Sequence, residues 1–236
     1  MIARNLAAVR GRLEQAARTA GRDPASITLV AVSKTFPPES VRAAAAAGQI
    51  DFGENRVQEA LQKVRQTAEL SIRWHLVGHL QINKARKVVG PFAVVHSVDS
   101  VDLLRRLDAA AVEQATRPKL LIQVDLAGES TKYGAAERDL PILMEAAAAL
   151  RAAELVGLMV LPPFAEDPEQ ARPWFRRLRE IRDHLVAGGV PAERLRELSM
   201  GMSHDFPVAV QEGATIVRVG TAIFGERTPA GAENTQ

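Results

Sequence analysis

One lysine stands where an amine can do chemistry. Lys34 follows the apolar run from Leu29 to Val32, whereas 24 of the 30 basic residues in the chain are arginines. Burying an unpaired ammonium is costly, so an amine at the end of a buried strand tends to lose its proton. A neutral amine is a nucleophile that forms Schiff bases with aldehydes, either of a sugar or of pyridoxal phosphate. The structural alternative is a lysine that reaches solvent or pairs with Glu54.

Two hydroxyl groups and a glycine follow the last two strands that the pattern predicts. Ser203 ends one of these strands, and Gly220 and Thr221 end the next, ahead of a short predicted helix over 221–224. In (β/α)₈ barrels the loops after the seventh and eighth strands, together with such a helix, form the usual phosphate site. Gly220 lets a phosphate approach the backbone, and both hydroxyls can donate to its oxygens. The alternative role of Ser203 and Thr221 is helix capping.

Arg218 lies two residues before Gly220, at an inward-facing strand position that otherwise suits valine or isoleucine. Its guanidinium is a permanently charged hydrogen-bond donor. We expect Arg218 to face the same site, and the alternative is a structural salt bridge to a carboxylate of the barrel.

The five histidines do not indicate a metal site. His75 and His79 are four residues apart on a predicted strand, and at ~3.3 Å per residue they are about 13 Å apart, too far to share one ion. We therefore expect structural roles for both. Asp205 follows His204, but adjacent residues rarely face each other, so Asp205 is interpreted as negative charge at a helix N-terminus.

The chain alternates between short runs rich in Val, Ile and Leu and Ala- and Arg-rich segments of helical spacing. Gly48 follows the first of these segments, where a C-terminal helix cap is expected. Near-continuous apolar strands separated by helices indicate a parallel sheet, and eight such units in about 200 residues fit a single (β/α)₈ TIM barrel of the α/β class. The eight predicted strands are Thr28–Lys34, Asp51–Asn55, Trp74–Leu80, Val94–Val98, Lys119–Leu126, Glu154–Leu161, Arg196–Ser203 and Ile216–Gly220.

A doubly wound open sheet is the alternative architecture. The turn Ser33–Pro38 after the first strand contains no glycine, which argues against dinucleotide binding in such a sheet. An extra N-terminal helix precedes the first strand, because apolar residues recur at steps of three and four from Ile2 to Ala17. We expect one domain over residues 1–227 and a flexible C-terminal tail over 228–236.

Composition excludes several classes of protein. The 236 residues are 47% hydrophobic and 25% charged, as is typical of a globular chain. The absence of cysteine excludes disulfides, thiolate nucleophiles and cysteine zinc sites, and no apolar run approaches the roughly 18 residues of a membrane span. The formal charge of +2 gives no basic field for nucleic acid. With no secretory signal in the sequence, we expect a cytoplasmic protein without a membrane or nucleic-acid partner.

Five motifs follow one another at compatible spacings along the chain. They are Val32-Ser33-Lys34, Phe52-Gly53-Glu54-Asn55-Arg56-Val57-Gln58-Glu59, Trp74-His75-Leu76-Val77-Gly78-His79-Leu80-Gln81-Ile82-Asn83-Lys84, Leu198-Ser199-Met200-Gly201-Met202-Ser203 and Arg218-Val219-Gly220-Thr221-Ala222-Ile223-Phe224-Gly225. Together they resemble the motifs of the pyridoxal phosphate homeostasis proteins, and the resemblance runs from about Ile2 to Glu226.

The resemblance implies a fold-type III barrel that binds pyridoxal 5′-phosphate (PLP), similar to the N-terminal domain of alanine racemase. It implies that Lys34 carries PLP as a Schiff base, and that Arg218 faces the pyridine nitrogen and keeps it unprotonated. It implies that Ser203, Gly220 and Thr221 hold the phosphate. The further ring contacts that it implies are Asn55, Met202 and Met159.

Two residues depart from the family pattern in the loop after the fifth predicted strand. Asp125 stands where asparagine is usual, and Thr131 stands where serine is usual. These departures concern only the loop around Lys132, which is a second candidate contact for the cofactor.

By this resemblance, the family binds, stores or hands over PLP and so balances cofactor and amino-acid pools, with no firm catalytic activity. An amino-acid racemase is the alternative, but racemisation needs an acid–base group on each face of the substrate Cα. Alanine racemases take one of these, a tyrosine, from a second domain of the partner subunit, which we expect to be absent here. Tyr133, the sole tyrosine, lies in a polar loop. A nucleic-acid or protein adaptor is a third reading, suggested only by the basic isoelectric point.

The expected partners are PLP itself and PLP-dependent apo-enzymes. For the chain itself, we expect a monomer or a weak dimer.

Overall fold

The computed structural model describes residues 1–128 and 133–226, and parallel strands form its centre. The strands are β1 (Thr28–Val32), β2 (Asp51–Glu54), β3 (Arg73–Leu76), β4 (Val94–Val98), β5 (Lys119–Asp125), β6 (Ala135–Ala136), β7 (Glu154–Val160), β8 (Glu197–Ser199) and β9 (Ile216–Val219). Eight of them pair in the order β4-β3-β2-β1-β9-β8-β7-β5, and pairing between β4 and β5 closes the ring. The short β6 pairs with the carboxyl end of β5. Closure confirms the predicted (β/α)₈ barrel and excludes the open, doubly wound sheet.

Helices surround this barrel in the predicted alternation. They are α1 (Ile2–Thr19), α2 (Pro38–Ala46), α3 (Val57–Gln66), α4 (Ala85–Val88), α5 (Val101–Glu113), α6 (Leu140–Ala148), α7 (Arg172–Ala187), α8 (Phe206–Gln211) and α9 (Thr221–Phe224). Single 3₁₀ turns lie at Pro24–Ser26, Ile82–Lys84, Glu137–Asp139, Pro168–Ala171 and Ala192–Leu195. Gly48 follows α2 with φ at +79°, the left-handed conformation expected just beyond a helix end.

The predicted N-terminal helix is confirmed as α1. Its apolar face, which includes Leu6, Val9 and Leu13, is buried and packs against α8, α9 and α2. The side chain of Asn5 donates a 3.0 Å hydrogen bond to the carbonyl oxygen of Ile223 in α9. This helix therefore supports the short helix that follows Gly220.

The core has two parts because side chains of a strand alternate between the two faces of the sheet. The larger part fills the space between the strands and the helices. The smaller part fills the barrel with Val30, Val32, Val77, Val94, Leu121, Val156, Met159 and Ile216. Lys34 follows the end of β1 by two residues, at the carboxyl end of the barrel.

Two predicted strands end earlier than expected. β3 ends at Leu76 and β8 at Ser199, four residues short of the predicted ends in both cases. Gly78 leaves the strand because it packs against the backbone of Asn55, where an added Cβ would lie 2.3 Å from the carbonyl oxygen. Gly201 turns the chain with φ at +92°. His79 therefore lies in a loop, and its predicted placement on a strand with His75 is wrong.

The described part of the chain has neither a membrane-spanning helix nor a cluster of metal-ligating side chains. None of its helices is both long and apolar enough to cross a membrane. Within the same residues, no group of three or more histidine or acidic side chains is arranged to hold a metal ion.

Candidate functional site

The carboxyl ends of β1, β2 and β9 lie side by side because β1 pairs with both of the other strands. Val32 is in register with Gly53 of β2, and the preceding residue of β1 is in register with the last residue of β9. Lys34, Asn55 and Gly220 therefore follow three adjacent strands at one end of the barrel. All three are half-buried. The structure thus brings them together on one rim, as the sequence predicts.

Ser203 connects the loop after β8 to the turn after β9. Its Oγ accepts hydrogen bonds from the backbone N–H groups of Gly220, at 3.1 Å, and Ala222, at 3.3 Å. The serine thus caps α9, and Thr221, its first residue, is exposed. The two N–H groups converge on one oxygen, which is the arrangement by which backbone turns bind anions. A Cβ on Gly220 would lie 3.1 Å from the carbonyl oxygen of Val32, a tight contact that glycine avoids.

The turn that positions Ser203 is held by Asp205. Its carboxylate accepts a 2.6 Å hydrogen bond from the backbone N–H of Met202. Burial raises the pKa of Asp205, and the Met202 N–H bond and the charge of Arg218 act in the opposite direction. Asp205 precedes α8 directly, as predicted for a charge at a helix N-terminus. The Met202 side chain is 36% exposed at this rim.

Arg218 is buried inside the barrel, two residues below Gly220. It donates one hydrogen bond to Ser199 Oγ at 2.5 Å and another to the carbonyl oxygen of Val160 at 3.0 Å. Both acceptors are neutral, and no carboxylate among the described residues forms a salt bridge with Arg218, which contradicts the alternative role within this part of the chain. Burial lowers the pKa of Arg218 to about 10, against the charge of Asp205, which raises it. The guanidinium is therefore a cation at neutral pH.

The residues on both sides of Lys34 are fixed by side chains from β2 and α3. Ser33 donates to Glu54 Oε1 at 2.7 Å, and its carbonyl oxygen accepts from Lys63 Nζ at 2.8 Å. The N–H of Thr35 donates to Glu59 Oε1 at 2.7 Å, with φ of Thr35 at +68°. The segment that bears Lys34 is thus tied on both sides.

Glu54 has a buried ion-pair partner that the sequence reading missed. Lys63 Nζ lies 2.6 Å from Glu54 Oε1, and neither side chain is more than 5% exposed. Burial raises the pKa of Glu54, while its bonds to Lys63 and Ser33 act in the opposite direction. Lys63 thus reaches the carboxyl ends of β1 and β2 from α3 and forms the ion pair with Glu54.

Two further buried polar residues were also missed as a pair. His75 of β3 and His96 of β4 are hydrogen-bonded inside the barrel, with 2.9 Å between Nδ1 and Nε2. The structural role predicted for His75 fits this position. In the sequence, this pair could have been recognised from a polar residue at an inward-facing position of each strand, as Arg218 was.

The loop after β5 reaches the same end of the barrel. The Tyr133 ring stacks on His79 with 3.5 Å between ring centroids and 9° between planes. The side chain of Gln123 donates to the carbonyl oxygen of Tyr133. Lys132 and the predicted tail over 228–236 lie outside the described residues.

The barrel carries Lys34 after its first strand, Arg218 on its last strand and Gly220 directly after that strand. The same combination is found in a known class of barrel proteins. The family model for the alanine racemase N-terminal domain matches residues 4–228. The pyridoxal phosphate homeostasis protein of Pseudomonas aeruginosa is 46% identical over 227 residues, which cover 96% of this chain and 96% of that protein. The chain belongs to the pyridoxal phosphate homeostasis protein family.

Two other comparisons agree with this assignment. The pyridoxal phosphate homeostasis protein of Aquifex aeolicus is 43% identical over 222 residues, covering 94% of this chain and 96% of the relative. The solved structure of PipY from Synechococcus elongatus with PLP bound is 42% identical and has a TM-score of 0.82. This match covers 95% of this chain and 100% of the PipY chain.

Proposed function

We propose that this chain binds PLP as a Schiff base on Lys34 and acts in intracellular PLP and amino-acid homeostasis. The observation that carries the proposal is the position of Lys34 between the strand ends that bear Asn55 and Gly220, at the mouth of the barrel. The proposal is supported by the relative whose structure was solved with PLP bound.

The residues at the mouth fit the parts of PLP. The hydroxyls of Ser203 and Thr221 would supply donors for a phosphate, beside the turn at Gly220 and Ala222 that Ser203 holds. Arg218 would supply a cationic donor for the pyridine nitrogen, and Asn55 and Met202 would contact the ring. Lys34 would hold PLP covalently through its side-chain nitrogen, with the aldehyde oxygen released as water. When bound, PLP supplies an aldehyde that captures amines and a ring that withdraws electrons.

Storage or transfer of PLP is favoured over catalysis. A guanidinium beside the ring nitrogen disfavours protonation of that nitrogen, and an unprotonated ring is a weaker electron sink. Burial lowers the pKa of Arg218 only to about 10, so the guanidinium keeps its charge at neutral pH. A racemase would need a second acid–base group, and the candidate Tyr133 is stacked on His79. We therefore assign the chain a carrier role.

The proposed partners are PLP-dependent apo-enzymes in the cytoplasm. Thr221 is exposed, Met202 is 36% exposed and Lys34 is half-buried, so solvent reaches the rim of the mouth. We expect bound PLP to exchange slowly with free PLP. Retention of PLP through prolonged dialysis against a competing apo-enzyme would contradict this expectation.

The test is the absorbance spectrum of purified protein with and without PLP, followed by borohydride reduction and peptide mass mapping. We expect a visible band and one reduced adduct, on Lys34. Lys34→Ala should lose both and remain folded by circular dichroism. Lys119→Ala is the matched control, because Lys119 is an exposed lysine at the opposite end of the barrel. Adducts scattered over surface lysines, with no visible band, would overturn the proposal.

A further inference from the structure

A continuous series of hydrogen bonds crosses the barrel interior. Asp51 Oδ1 lies 3.0 Å from His75 Nε2, and His75 Nδ1 lies 2.9 Å from His96 Nε2. His96 Nδ1 lies 2.8 Å from Ser199 Oγ, which accepts the 2.5 Å bond from Arg218. We call these five residues the interior chain. They come from β2, β3, β4, β8 and β9, so the bonds join strands from opposite sides of the barrel.

The interior chain connects the two ends of the barrel. Asp51 is the first residue of β2, and Arg73, the first of β3, donates to both of its carboxylate oxygens at 2.7 Å. The Arg73 side chain is 61% exposed. Arg218, at the other end, is 4% exposed and lies just below the proposed cofactor. A change of charge or protonation at the solvent-facing end is therefore connected to the mouth by continuous hydrogen bonds.

The two ends fix the direction of every bond in the chain. The Asp51 carboxylate can only accept, and the Arg218 guanidinium can only donate. When both imidazoles are neutral, each ring has one N–H, so His75 donates from Nε2 to Asp51 and accepts at Nδ1. His96 must then donate from Nε2 and accept at Nδ1 from the Ser199 hydroxyl. The Ser199 oxygen, with its hydrogen used in this way, accepts from Arg218.

One added proton reverses part of this arrangement. If His75 becomes an imidazolium beside Asp51, its Nδ1 donates, and His96 must accept at Nε2. The hydrogen of His96 then lies on Nδ1 and points at Ser199, whose hydroxyl must turn away. A single proton at the solvent-facing end therefore changes the orientation of the Ser199 hydroxyl that accepts from Arg218.

The surroundings favour the neutral arrangement. Burial, followed by the charges of His75 and Arg218, holds the pKa of His96 well below its usual value. The charged groups that act on the ends of the interior chain are Arg73, beside Asp51, and Asp205, near Arg218. His96 is therefore neutral, and its ring carries one N–H.

We propose that the interior chain positions Arg218, by presenting Ser199 as its acceptor, and so sets the field of the guanidinium at the pyridine nitrogen of bound PLP. His75 and His96 act through Ser199 and Arg218 and are positioning residues. This inference rests on the proposed function, because its effect is measured on bound PLP. The positions of the hydrogens along the interior chain are set by the protein's own groups and can be measured without PLP.

The first experiment tests the arrangement of hydrogens in the protein without PLP. ¹⁵N–¹H NMR of the imidazoles should show both His75 and His96 as neutral rings with hydrogen on Nε2. Hydrogen on Nδ1 of His96 at neutral pH would overturn the proposed direction of the bonds.

The second experiment measures the pH midpoint of the visible band of the PLP-loaded protein. His75→Phe breaks the interior chain two bonds away from Ser199. We expect the midpoint to rise by about 1 pH unit, tenfold in proton affinity, because a loosened Arg218 disfavours the protonated Schiff base less. His75→Gln, which keeps one donor and one acceptor, should restore part of the shift. Arg73→Ala, at an exposed position, should shift the midpoint in the same direction by less.

Asp108→Asn is the matched control. Asp108 is a buried carboxylate that accepts from the backbone N–H groups of Arg151, Ala152 and Ala153, outside the barrel interior. This variant should lose stability and keep the wild-type midpoint. An unchanged midpoint in both His75→Phe and Arg73→Ala would overturn the inference while the wild-type band persists. Absence of the band in wild-type protein would instead overturn the proposed function.

Discussion

Lys63 and Glu54 form a buried ion pair directly beside the segment that bears Lys34. The Nζ of Lys63 lies 2.6 Å from Glu54 Oε1 and donates to the carbonyl oxygen of Ser33 at 2.8 Å. Ser33 in turn donates to the same carboxylate oxygen. One ammonium and one carboxylate thus fix the residue that directly precedes Lys34.

Lys63→Ala should destabilise the protein strongly. It removes one partner of a buried pair and leaves the Glu54 carboxylate without its cation, a change that costs about 3–5 kcal/mol. Urea denaturation measures the loss. Arg18→Ala is the control, because Arg18 pairs with Glu14 at 3.7 Å on an exposed helix surface, where pairs contribute about 0–1 kcal/mol. Equal losses in the two variants would contradict the structural importance of the Lys63 pair.

Ser203→Ala should weaken PLP binding about tenfold. The variant removes the oxygen that holds the turn at Gly220 and Ala222 and one donor to the phosphate, and one such hydrogen bond is worth roughly 1–2 kcal/mol. A PLP titration followed at the visible band gives the affinity. Ser100→Ala is the control, because Ser100 caps α5 through the N–H of Leu103. Its removal should lower stability and leave the PLP affinity unchanged; an equal loss of affinity would mean that the Ser203 effect is only structural.

Much of this fold could be predicted from the sequence because local patterns of apolar residues determine its strands and helices. The alternation of apolar runs with helical segments gave the eight strands of the barrel, and strand parity placed Arg218 inside it. The strand ends of β3 and β8 could not be predicted in this way. They depend on close backbone packing of Gly78 and on the left-handed turn at Gly201, which only the tertiary structure reveals.

The site was predictable where its residues follow strand ends and not where they meet across the barrel. Lys34, Asn55 and Gly220 follow adjacent parallel strands, so the predicted barrel topology was enough to place them at the same end of the barrel. His96 and Ser199 are 103 residues apart in sequence, and no local pattern pairs them. Lys63 lies on an amphipathic helix, where a lysine usually faces solvent.

Asp51→Asn should remove part of the acid sensitivity of the fold. Desolvation alone would raise the pKa of Asp51, but its bonds to His75 and Arg73 outweigh it and lower the pKa to about 2 from 3.8. A depressed carboxyl pKa stabilises the fold above the unfolded value, and this contribution, about 2 kcal/mol, is lost as pH falls from 3.8 toward 2. Urea denaturation at a series of acidic pH values measures the slope.

Asp205→Asn supplies a contrast of opposite sign. Burial raises the pKa of Asp205 above its usual value. A raised carboxyl pKa favours the fold below the unfolded value, and that contribution is lost as pH rises through the folded pKa. Asp205→Asn should therefore reduce the loss of stability that the wild type shows as pH rises. Asp51→Asn should instead reduce the loss of stability that the wild type shows as pH falls. The same direction of change in both variants would contradict the assigned shifts.

The loaded protein should not exchange the Cα hydrogen of amino acids with solvent above the level of Lys34→Ala. Exchange needs a base at the Cα and a ring that accepts the electron pair, and the proposed position of Arg218 beside the ring nitrogen would disfavour protonation of that nitrogen. Incorporation of deuterium from D₂O, followed by NMR, is the measurement. Tyr133→Phe is the informative variant, because Tyr133 is the tyrosine at this end of the barrel and is 57% exposed. Exchange in the wild type that disappears in Tyr133→Phe would establish an acid–base role for Tyr133 and replace the carrier assignment with a racemase.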